Sequence, residues 1–510
     1  MKKLPVGIQT LKKIREDNFI YIDKTQEALE LIKDSGGYFF LSRPRRFGKS
    51  LFIDTLKEIF EGNKELFKGL YIYDKYDFKK YPVIKIDWAG DFKTLDSTYE
   101  VAYKILEDNQ KRLGIDCPTD DSPSICFNRL IQKTYEKYQK PVVILIDEYD
   151  KPILDNIENT KRALENRDFL RSFYVMMKSN DAYIKFAFLT GISKFSKASI
   201  FSGLNNLTDI SLMKKFGNIC GYTHEDLKKS FSDYTKDVDL EKVKEWYNGY
   251  YFLKDKIYNP FDILQFFAND KLFKNYWWES GNPYFLIELI KKNHYFLPKL
   301  SNLKVDDAIL STFEVDKIKI EVLLYQAGYL TIDRVEMTPF DTIEYRLRLP
   351  NKEIKLSFNN MLIQLFNQDA PNSQIRANIY DYLLNVDMQG LKETLTTLFA
   401  SIAYNNYIKN EISSYEGFYA SVIYVYLQSL GIEIIGEDVT NKGRIDLTIF
   451  IKDKIYIMEF KVGSSDALKQ IKEREYYKKY LNQNREIYLI GINFDEKEKN
   501  IKSLEWERVL

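Results

Sequence analysis

The sequence has 510 residues, 45% of them hydrophobic and 29% charged, a balance that predicts a folded protein of two to four domains. Its 75 basic and 74 acidic residues nearly cancel, which argues against a chain-wide electrostatic attraction to nucleic acid but allows a local basic groove. Only two histidines and three cysteines occur, so the composition argues against a His-rich zinc hydrolase and against a disulfide framework.

The N-terminus and the apolar segments give no sign of export or of membrane insertion. The first residues, Met1–Pro5, lack the apolar core of a signal peptide, and no window of about 18 apolar residues appears. We therefore expect a cytoplasmic protein without a membrane span, with reduced thiols at Cys117, Cys126 and Cys220.

Residues 1–220 alternate short apolar runs with amphipathic stretches, the pattern of an α/β domain built on a parallel sheet. Helices are predicted at Ser50–Phe60 and Tyr99–Leu113. The predicted buried strands are Tyr38–Ser42, Val83–Asp87, Val142–Asp147, Ile184–Thr190 and Asp209–Leu212.

The rest of the chain divides into three predicted regions: a mostly helical lid at 221–300, a mixed connecting region at 301–385 and a compact α/β domain at 386–510. The lid is rich in aromatic residues, which are more typical of core packing than of a partner surface. These aromatic residues are Trp246, Tyr247, Tyr250, Tyr251, Trp277 and Trp278.

The first strand runs into a loop that ends in Gly48, Lys49 and Ser50 and continues as a helix. Glycine lets the backbone approach a phosphate, lysine reaches the β- and γ-phosphates, and serine supplies a magnesium ligand at the positive end of a helix. The usual first glycine is replaced by Arg43. We assign nucleotide binding to Arg43, Pro44, Arg45, Arg46, Phe47, Gly48, Lys49, Ser50 and Leu51.

A second part of the same site follows about a hundred residues later, where the apolar strand Val142–Asp147 ends in two carboxylates. In a phosphate-loop enzyme the first of them, Asp147, holds magnesium through water, and the second, Glu148, polarises the attacking water. The next apolar strand ends at Thr190, a candidate for sensing the γ-phosphate, although a threonine there is more often a turn residue.

Four segments together resemble the AAA-ATPase-like family, which is found mostly in bacteria and typically carries a C-terminal nuclease-like domain of the PD-(D/E)xK superfamily. They are Leu4–Ile8, Tyr21–Thr25, Arg43–Ser50 and Ile146–Asp150. The resemblance implies ATP and Mg²⁺ as ligands and an AAA/ASCE-type P-loop NTPase sheet with a helical lid. It also implies that the arginine-rich loop is a family trait.

Two strands near the C-terminus, Gly443–Phe450 and Ile455–Lys461, are predicted to form a hairpin with its turn at Lys452 and Asp453. In that register Asp446 lies opposite Glu459, and opposed residues on antiparallel strands have Cβ atoms about 4.5–5.5 Å apart. Two carboxylates so close favour a divalent metal between them. Lys461 lies on the same face and could position or activate a water against a phosphodiester.

Glu-x-Lys alone is a weak pattern, since Glu353-x-Lys355 and Asp91-x-Lys93 also occur, and we interpret both as solvated charge. An upstream helix adds a third acidic group, Glu416. The set Glu416, Asp446, Glu459 and Lys461 resembles the PD-(D/E)xK nuclease core. This implies that Asp446 and Glu459 bind Mg²⁺ or Mn²⁺, with Glu416 as a further acidic ligand, and that Lys461 is the catalytic lysine.

Some relatives place a glutamine on the next helix, followed four residues later by tyrosine. This chain has Gln470 in that place but Arg474 at the later step, with tyrosines at Tyr476 and Tyr477, so we expect Gln470 to be of little importance.

Two functions are compatible with these motifs. In the first, ATP binding or hydrolysis regulates metal-dependent cleavage of DNA or RNA at the C-terminal site. In the second, the chain is a nucleotide-switched binding or assembly protein whose nuclease-like domain is catalytically silent. A homo-oligomer is compatible with either function, and no membrane partner is expected.

Overall fold

The computed structural model describes residues 1–33, 37–116, 121–194, 200–201, 204, 206–279, 289–290, 295–310, 319–366, 372–402, 416–463 and 466–509. It divides into two compact units. The first comprises Met1–Gly281, Asp306–Ile332 and Met337–Ile343, and the second comprises Asn282–Val305, Asp333–Glu336 and Glu344–Leu510. The finer boundaries at 221, 301 and 386 stay predictions.

The first unit contains a parallel five-stranded sheet of order β2-β3-β4-β1-β5. Its strands are β1 (Tyr38–Ser42), β2 (Val83–Asp87), β3 (Val142–Asp147), β4 (Ile184–Gly191) and β5 (Thr208–Asp209). Four of the predicted strands are confirmed to within one residue. β5 is shorter than predicted and begins one residue earlier, because only Phe39 and Phe40 of β1 pair with it.

Helices flank this sheet because their apolar faces need burial. Val143, Leu145 and Phe188 of the sheet pack in one core with Phe52 and Leu56. The helices before the lid region are α1 (Leu11–Glu16), α2 (Thr25–Lys33), α3 (Lys49–Phe60), α4 (Leu95–Leu113), α5 (Pro123–Tyr138), α6 (Lys151–Leu154) and α7 (Thr160–Ser179). The two predicted helices correspond to α3 and α4, and each begins earlier than predicted because Gly48 and Thr94 are their N-caps.

The lid region contains the helices α8 (His224–Ser230), α9 (Ser232–Thr235), α10 (Leu240–Tyr247), α11 (Pro260–Ala268) and α12 (Tyr276–Glu279). An antiparallel hairpin of β6 (Asn248–Tyr251) and β7 (Lys256–Tyr258) interrupts them. The aromatic pair Tyr250 and Tyr251 therefore lies on a strand within the region that was predicted to be mostly helical. Core packing of the lid aromatics is confirmed for Tyr247, Tyr250 and Trp277, all of which are buried.

The later part of the chain begins with a small sheet of order β8-β10-β9, made of β8 (Leu303–Asp306), β9 (Thr331–Met337) and β10 (Ile343–Arg348). Its helices are α13 (Asp307–Leu310), α14 (Ile320–Ala327), α15 (Lys352–Phe366), α16 (Asn372–Asn385), α17 (Met388–Ala400), α18 (Glu416–Ser429) and α19 (Ala467–Arg474). The interpretation of Glu353 as solvated charge is wrong, because Glu353 is fully buried on α15. Asp91 and Lys93 are exposed, as predicted.

The second unit is built on a five-stranded sheet of order β11-β12-β13-β14-β15. The pair β13 and β14 is parallel and the other pairs are antiparallel. Its strands are β11 (Glu433–Thr440), β12 (Gly443–Ile451), β13 (Lys454–Val462), β14 (Glu486–Asp495) and β15 (Asn500–Arg508). The central strand β13 is apolar and buried along most of its length, so its few polar side chains are placed precisely by the sheet around them.

Within the described residues, every helix is too short or too polar to cross a membrane. Cys126 and Cys220 are buried and are not joined in a disulfide, whereas Cys117 and His294 lie outside the described residues.

Candidate functional site

The loop after β1 has the backbone geometry of an anion cradle. Arg46 and Gly48 both adopt the left-handed conformation, with φ of 67° and 91°, between residues of ordinary handedness. Such alternation turns successive N–H groups toward one concave side, which binds anions. Gly48 is also the N-cap of α3, so the positive end of that helix faces the same concavity.

Lys49 is held inside this loop. Its side chain is buried, and its Nζ donates to the backbone oxygens of Arg43 and Pro44, each at 3.0 Å. Burial lowers the pKa of Lys49, while the nearby carboxylate of Asp147 acts in the opposite direction. The ammonium therefore lies between the loop and the carboxylates at the end of β3.

A cavity of about 410 Å³ opens beside the loop. Every residue from Arg45 to Phe52 lines it, as does Glu148. The opposite walls come from the N-terminal segment and from the lid region. These residues are Pro5, Gly7, Ile8, Gln9, Ile20, Tyr21, Ile22, Lys24, Ile219, Cys220, Gly221, Tyr222, Pro260, Phe261 and Leu264. No pattern of residues predicted that the N-terminal segment lies here, although the family resemblance includes Leu4–Ile8 and Tyr21–Thr25.

The carboxylates predicted for the magnesium side lie at the end of β3. Asp147 is buried, and its Oδ1 accepts the backbone N–H of Glu148 at 3.0 Å. Glu148 has φ of 50°, a sparsely populated backbone conformation that turns the residue at the strand end. Burial, and then the charge of Asp147, raise the pKa of Glu148. A third carboxylate, Asp87 at the end of β2, lies directly across from Asp147 and was not predicted.

The prediction that Arg43 binds the nucleotide is wrong for its side chain, which is bonded to the protein instead. The guanidinium is buried and donates to the backbone oxygens of Ser42 and Ser211, each at 2.8 Å, and of Phe216 at 3.3 Å. It also stacks 3.9 Å from the ring centre of Phe252. Arg43 and Pro44 do not line the cavity, and they act through their backbone oxygens, which hold Lys49.

Thr190 is not directed into the cavity either. Its hydroxyl is buried and donates to the backbone oxygen of Leu41 on the neighbouring strand at 2.8 Å. This geometry argues against the predicted sensing of a γ-phosphate. The polar residue that organises the end of β4 is Asp150, whose Oδ2 accepts the backbone N–H groups of Ile192 and Ser193 at 3.0 and 2.6 Å.

The second set of candidate residues lies on the C-terminal hairpin, whose predicted register is confirmed. Leu447 pairs with Met458 and Ile451 with Lys454, which places the turn at Lys452 and Asp453 as expected. Beyond Leu447, the ladder gives way to a side-chain contact, in which Asp446 Oδ2 accepts the backbone N–H of Phe460 at 2.9 Å. Asp446 therefore lies beside Glu459, the residue that precedes Phe460.

Lys461 lies between two carboxylates. Its Nζ is 3.1 Å from Glu416 Oε2 and 3.3 Å from Glu459 Oε1, and it donates to the backbone oxygen of Phe460 at 3.0 Å. Burial alone would lower the pKa of Lys461, but Glu459, Asp446 and Glu416 together raise it. Lys461 therefore acts as a cation in this cluster rather than as a base.

The carboxylates of this hairpin imply a divalent cation, and the side chains of Asp446 and Glu459 are suited to hold one. Glu459 is buried, and its Oε2 has no hydrogen-bond partner among the described residues, so it can accept a cation. Burial, and then the charge of Asp446, raise the pKa of Glu459. Burial likewise raises the pKa of Asp446.

The predicted third ligand is not supported. Among the described residues, no group of three Asp, Glu, His or Cys side chains is arranged to hold a metal ion. Glu416 is instead partly exposed and paired with Lys461.

Gln470, which was expected to be of little importance, contacts the carboxylate cluster. Its side-chain amide on α19 donates to Oε1 of Glu459. Tyr476, which follows the helix, is buried and hydrogen-bonds to Gln470. The chain leaves α19 at Glu475 in the left-handed conformation, and Tyr476 follows directly.

Comparison with known families assigns both ends of the chain. Residues 5–201 match the family of predicted AAA-ATPases, and residues 414–504 match the PD-(D/E)XK nuclease superfamily. An uncharacterized protein in the vnfD 5'region of Azotobacter chroococcum mcd 1 is 43% identical over 511 residues, and the match covers 98% of both chains.

Among solved structures, similarity is weak. The ORC2 protein of Aeropyrum pernix is 11% identical with a TM-score of 0.29, over 69% of this chain and 96% of that chain. CDC6P from Pyrobaculum aerophilum is 11% identical with a TM-score of 0.27, over 67% of this chain and 92% of that chain. TM-scores this low carry no argument about the site.

Proposed function

This chain belongs to the AAA-ATPase-like family, with a C-terminal domain of the PD-(D/E)XK nuclease superfamily, and we propose that it hydrolyses ATP to regulate a metal-dependent nuclease acting on DNA or RNA. The observation that carries the proposal is the convergence of Lys49, the backbone cradle and Glu148 on one cavity. The regulated activity is inferred from Asp446, Glu459 and Lys461 on the other unit's hairpin.

In the proposed ATP site, the loop N–H groups and Lys49 bind the β- and γ-phosphates. Ser50 and Asp147 hold the accompanying Mg²⁺. Glu148 orients the attacking water, since it lines the cavity one residue beyond Asp147. Burial and the charge of Asp147 raise the pKa of Glu148, and a bound cation would counteract both by stabilising the charged carboxylate.

In the proposed nuclease site, Asp446 and Glu459 would hold Mg²⁺ or Mn²⁺, which stabilises the charge that develops on the phosphate during cleavage. Asp446 is oriented by the backbone N–H of Phe460, and Glu459 by Gln470. Lys461, kept protonated by its acidic neighbours, places positive charge where a phosphodiester would approach.

A second candidate function is supported by the pairing of Lys461 with Glu416 and by the lack of a three-carboxylate group among the described residues. In that case the chain is a nucleotide-switched binding or assembly protein with a silent nuclease-like domain.

One experiment separates these proposals. Cleavage of single- and double-stranded DNA and of RNA is measured with Mn²⁺ or Mg²⁺, with and without ATP, for wild type, Glu459→Ala and Lys49→Ala. The nuclease proposal requires cleavage by wild type that Glu459→Ala abolishes. Regulation by ATP requires that Lys49→Ala changes the rate or its dependence on ATP. Intact substrate in every reaction, with an ATP-dependent change in oligomeric state, would support the second candidate.

A further inference from the structure

The segment Tyr21–Thr25, called here the N-terminal motif, has no role in the proposed chemistry, yet it lies against the nucleotide cavity. Asp23 caps helix α2, since its Oδ1 accepts the N–H of Thr25 at 2.9 Å and the hydroxyl of Thr25 at 2.6 Å. Its Oδ2 accepts the N–H of Tyr71 at 2.7 Å. Asp23 and Thr25 therefore fix the backbone of the motif.

Tyr21 connects the motif by a hydrogen bond to α3, the helix that follows the phosphate-binding loop. Thr55 on α3 donates its hydroxyl proton to the backbone oxygen of Leu51 at 2.8 Å, so its Oγ1 accepts from the Tyr21 hydroxyl at 3.3 Å. Ile22 is buried in the lid-region core. The position of Lys24 relative to α3 is thus determined by its neighbours on both sides.

Lys24 is the motif residue that brings a charge to the cavity. Its side chain is only 14% exposed and lines the cavity together with Lys49. Its Nζ lies 3.4 Å from Oδ2 of Asp226 on α8. The same oxygen accepts the N–H of Thr223 at 2.8 Å, so Asp226 also closes the capping box at the start of α8.

The charges around the cavity favour an anionic ligand. Among the described residues, four cationic side chains line it, those of Lys24, Arg45, Arg46 and Lys49, against the single acid Glu148. A phosphate chain in this cavity would add negative charge near Lys24, and a lysine ammonium with three donors can exchange one anionic partner for another.

We propose that Lys24 binds the phosphate chain of the nucleotide in competition with Asp226, so that nucleotide binding releases helix α8 from the N-terminal motif. The proposal rests on the proposed nucleotide binding and adds to it a second phosphate-binding lysine and a link to the lid region. The link is the Lys24–Asp226 pair, since Asp226 is also part of the α8 capping box.

The test relies on the opposite changes in ATP affinity that we expect when Lys24 and when Asp226 is replaced. Affinities for ATP, ADP and adenosine are measured by calorimetry on the full chain for wild type, Lys24→Met and Asp226→Asn. Lys24→Met should weaken ATP and ADP binding by about 10–100-fold, the loss expected for a charge-assisted hydrogen bond, with adenosine nearly unchanged. Asp226→Asn should tighten ATP binding, because the competitor is removed while an amide oxygen can still cap α8.

A purely structural ion pair would behave differently. Both substitutions would then lower the melting temperature and shift affinity in the same direction for all three ligands, which would overturn the proposal. Lys24→Arg, which keeps the charge, should retain most of the ATP affinity. Matched controls are Lys33→Met at the other end of α2 and Glu225→Gln, whose partner Lys229 is exposed.

Hydrogen exchange gives an independent readout. ATP should speed amide exchange in α8 of wild type and should not do so in Lys24→Met. If wild type binds no nucleotide, the proposed function itself fails. If wild type binds ATP and Lys49→Ala abolishes binding, but Lys24 and Asp226 substitutions leave the phosphate-dependent affinity unchanged, only this inference fails.

Discussion

The side-chain amide of Gln470 donates a hydrogen bond to Oε1 of Glu459 and leaves Oε2 of the same carboxylate buried and without a hydrogen-bond partner among the described residues. One oxygen is therefore held by the protein, and the other can accept a cation. Such an oxygen is costly to bury unless a cation or a proton occupies it. The pair Gln470–Glu459 thus links a helix of the C-terminal domain to the proposed metal site.

Replacing Gln470 by alanine should weaken metal binding without removing a ligand. Residues that orient a metal ligand typically contribute 10–100-fold in affinity, and we expect a loss of at least about tenfold for Mn²⁺. Calorimetric titration with Mn²⁺ measures this loss directly. Lys469→Gln on the exposed side of the same helix is the control. Equal Mn²⁺ affinity in Gln470→Ala and wild type would show that the contact does not orient Glu459.

The raised pKa of Glu459 predicts a pH-dependent instability. Burial and then Asp446 favour the protonated carboxyl in the folded state, whereas the unfolded chain has the ordinary glutamate pKa. The free energy of unfolding is therefore unaffected by this group below the ordinary glutamate pKa. It falls as pH rises from there, and the loss is complete above the raised folded-state pKa. Glu459→Gln removes this loss, so it should melt at a higher temperature than wild type at pH 8 and at nearly the same temperature at pH 4.

Scanning calorimetry across this pH range, in the presence of a chelator, provides the measurement. Glu473→Gln, an exposed carboxylate on α19, serves as the control and should show no such difference. A Glu459→Gln variant that is less stable than wild type at pH 8 contradicts the prediction.

Arg43 and Arg46 belong to the same loop but should respond in opposite ways to substitution. Arg43→Met deprives three backbone oxygens of a buried donor, and we expect the free energy of unfolding to fall by about 2–4 kcal/mol. Arg46 lines the cavity and stacks 4.8 Å from the ring centre of Phe261, so Arg46→Met should weaken nucleotide binding with little change in stability. Denaturant unfolding and nucleotide titration of both variants test this contrast, which reversed results would disprove.

Glu148→Gln should separate nucleotide binding from hydrolysis. The substitution removes the charge that orients the attacking water but leaves Lys49, Ser50 and Asp147 in place. We expect ATP affinity within a few-fold of wild type and a turnover reduced by about 10²–10⁴-fold, the usual contribution of a general base. Phosphate release under saturating ATP measures turnover. Glu158→Gln is a control outside the cavity, and wild-type turnover in Glu148→Gln would rule out the assigned role.

Much of the architecture follows from sequence periodicity. The strands β1 to β4 are short, mostly apolar runs bounded by turn residues, the pattern typical of a buried parallel sheet. Strand β12 alternates, a two-residue turn joins it to β13, and the register that this turn predicts places Asp446 beside Glu459. The parallel strands and the register of the hairpin depend on local sequence patterns, so both could be predicted.

The errors share a different physical cause, since each concerns the direction of a side chain that is set by distant residues. Arg43 turns away from the cavity because backbone oxygens of Ser211 and Phe216 and the ring of Phe252 receive it. Glu353 is buried by tertiary packing that no local pattern signals. Gln470 reaches Glu459 from helix α19, which packs closely against the sheet at Gly491.

That close approach depends on Gly491, which pairs with Glu459 across β13 and β14. A Cβ atom on Gly491 would lie 2.8 Å from Cα of Leu468, so Gly491→Ala must push α19 away from the sheet and carry Gln470 with it. We expect a loss of about 1–3 kcal/mol in stability from overpacking and also a weaker Mn²⁺ affinity, although no ligand is touched.

Gly436→Ala is the matched control, because its Cβ would lie 2.7 Å from the carbonyl carbon of Pro298, on β11 rather than under α19. It should cost similar stability and leave Mn²⁺ affinity unchanged. Thermal melting and Mn²⁺ titration of both variants measure the stability and the metal affinity that this comparison needs. If the two glycine variants lose metal affinity equally, the loss comes from general destabilisation, and the placement of α19 by Gly491 has no specific effect on Glu459.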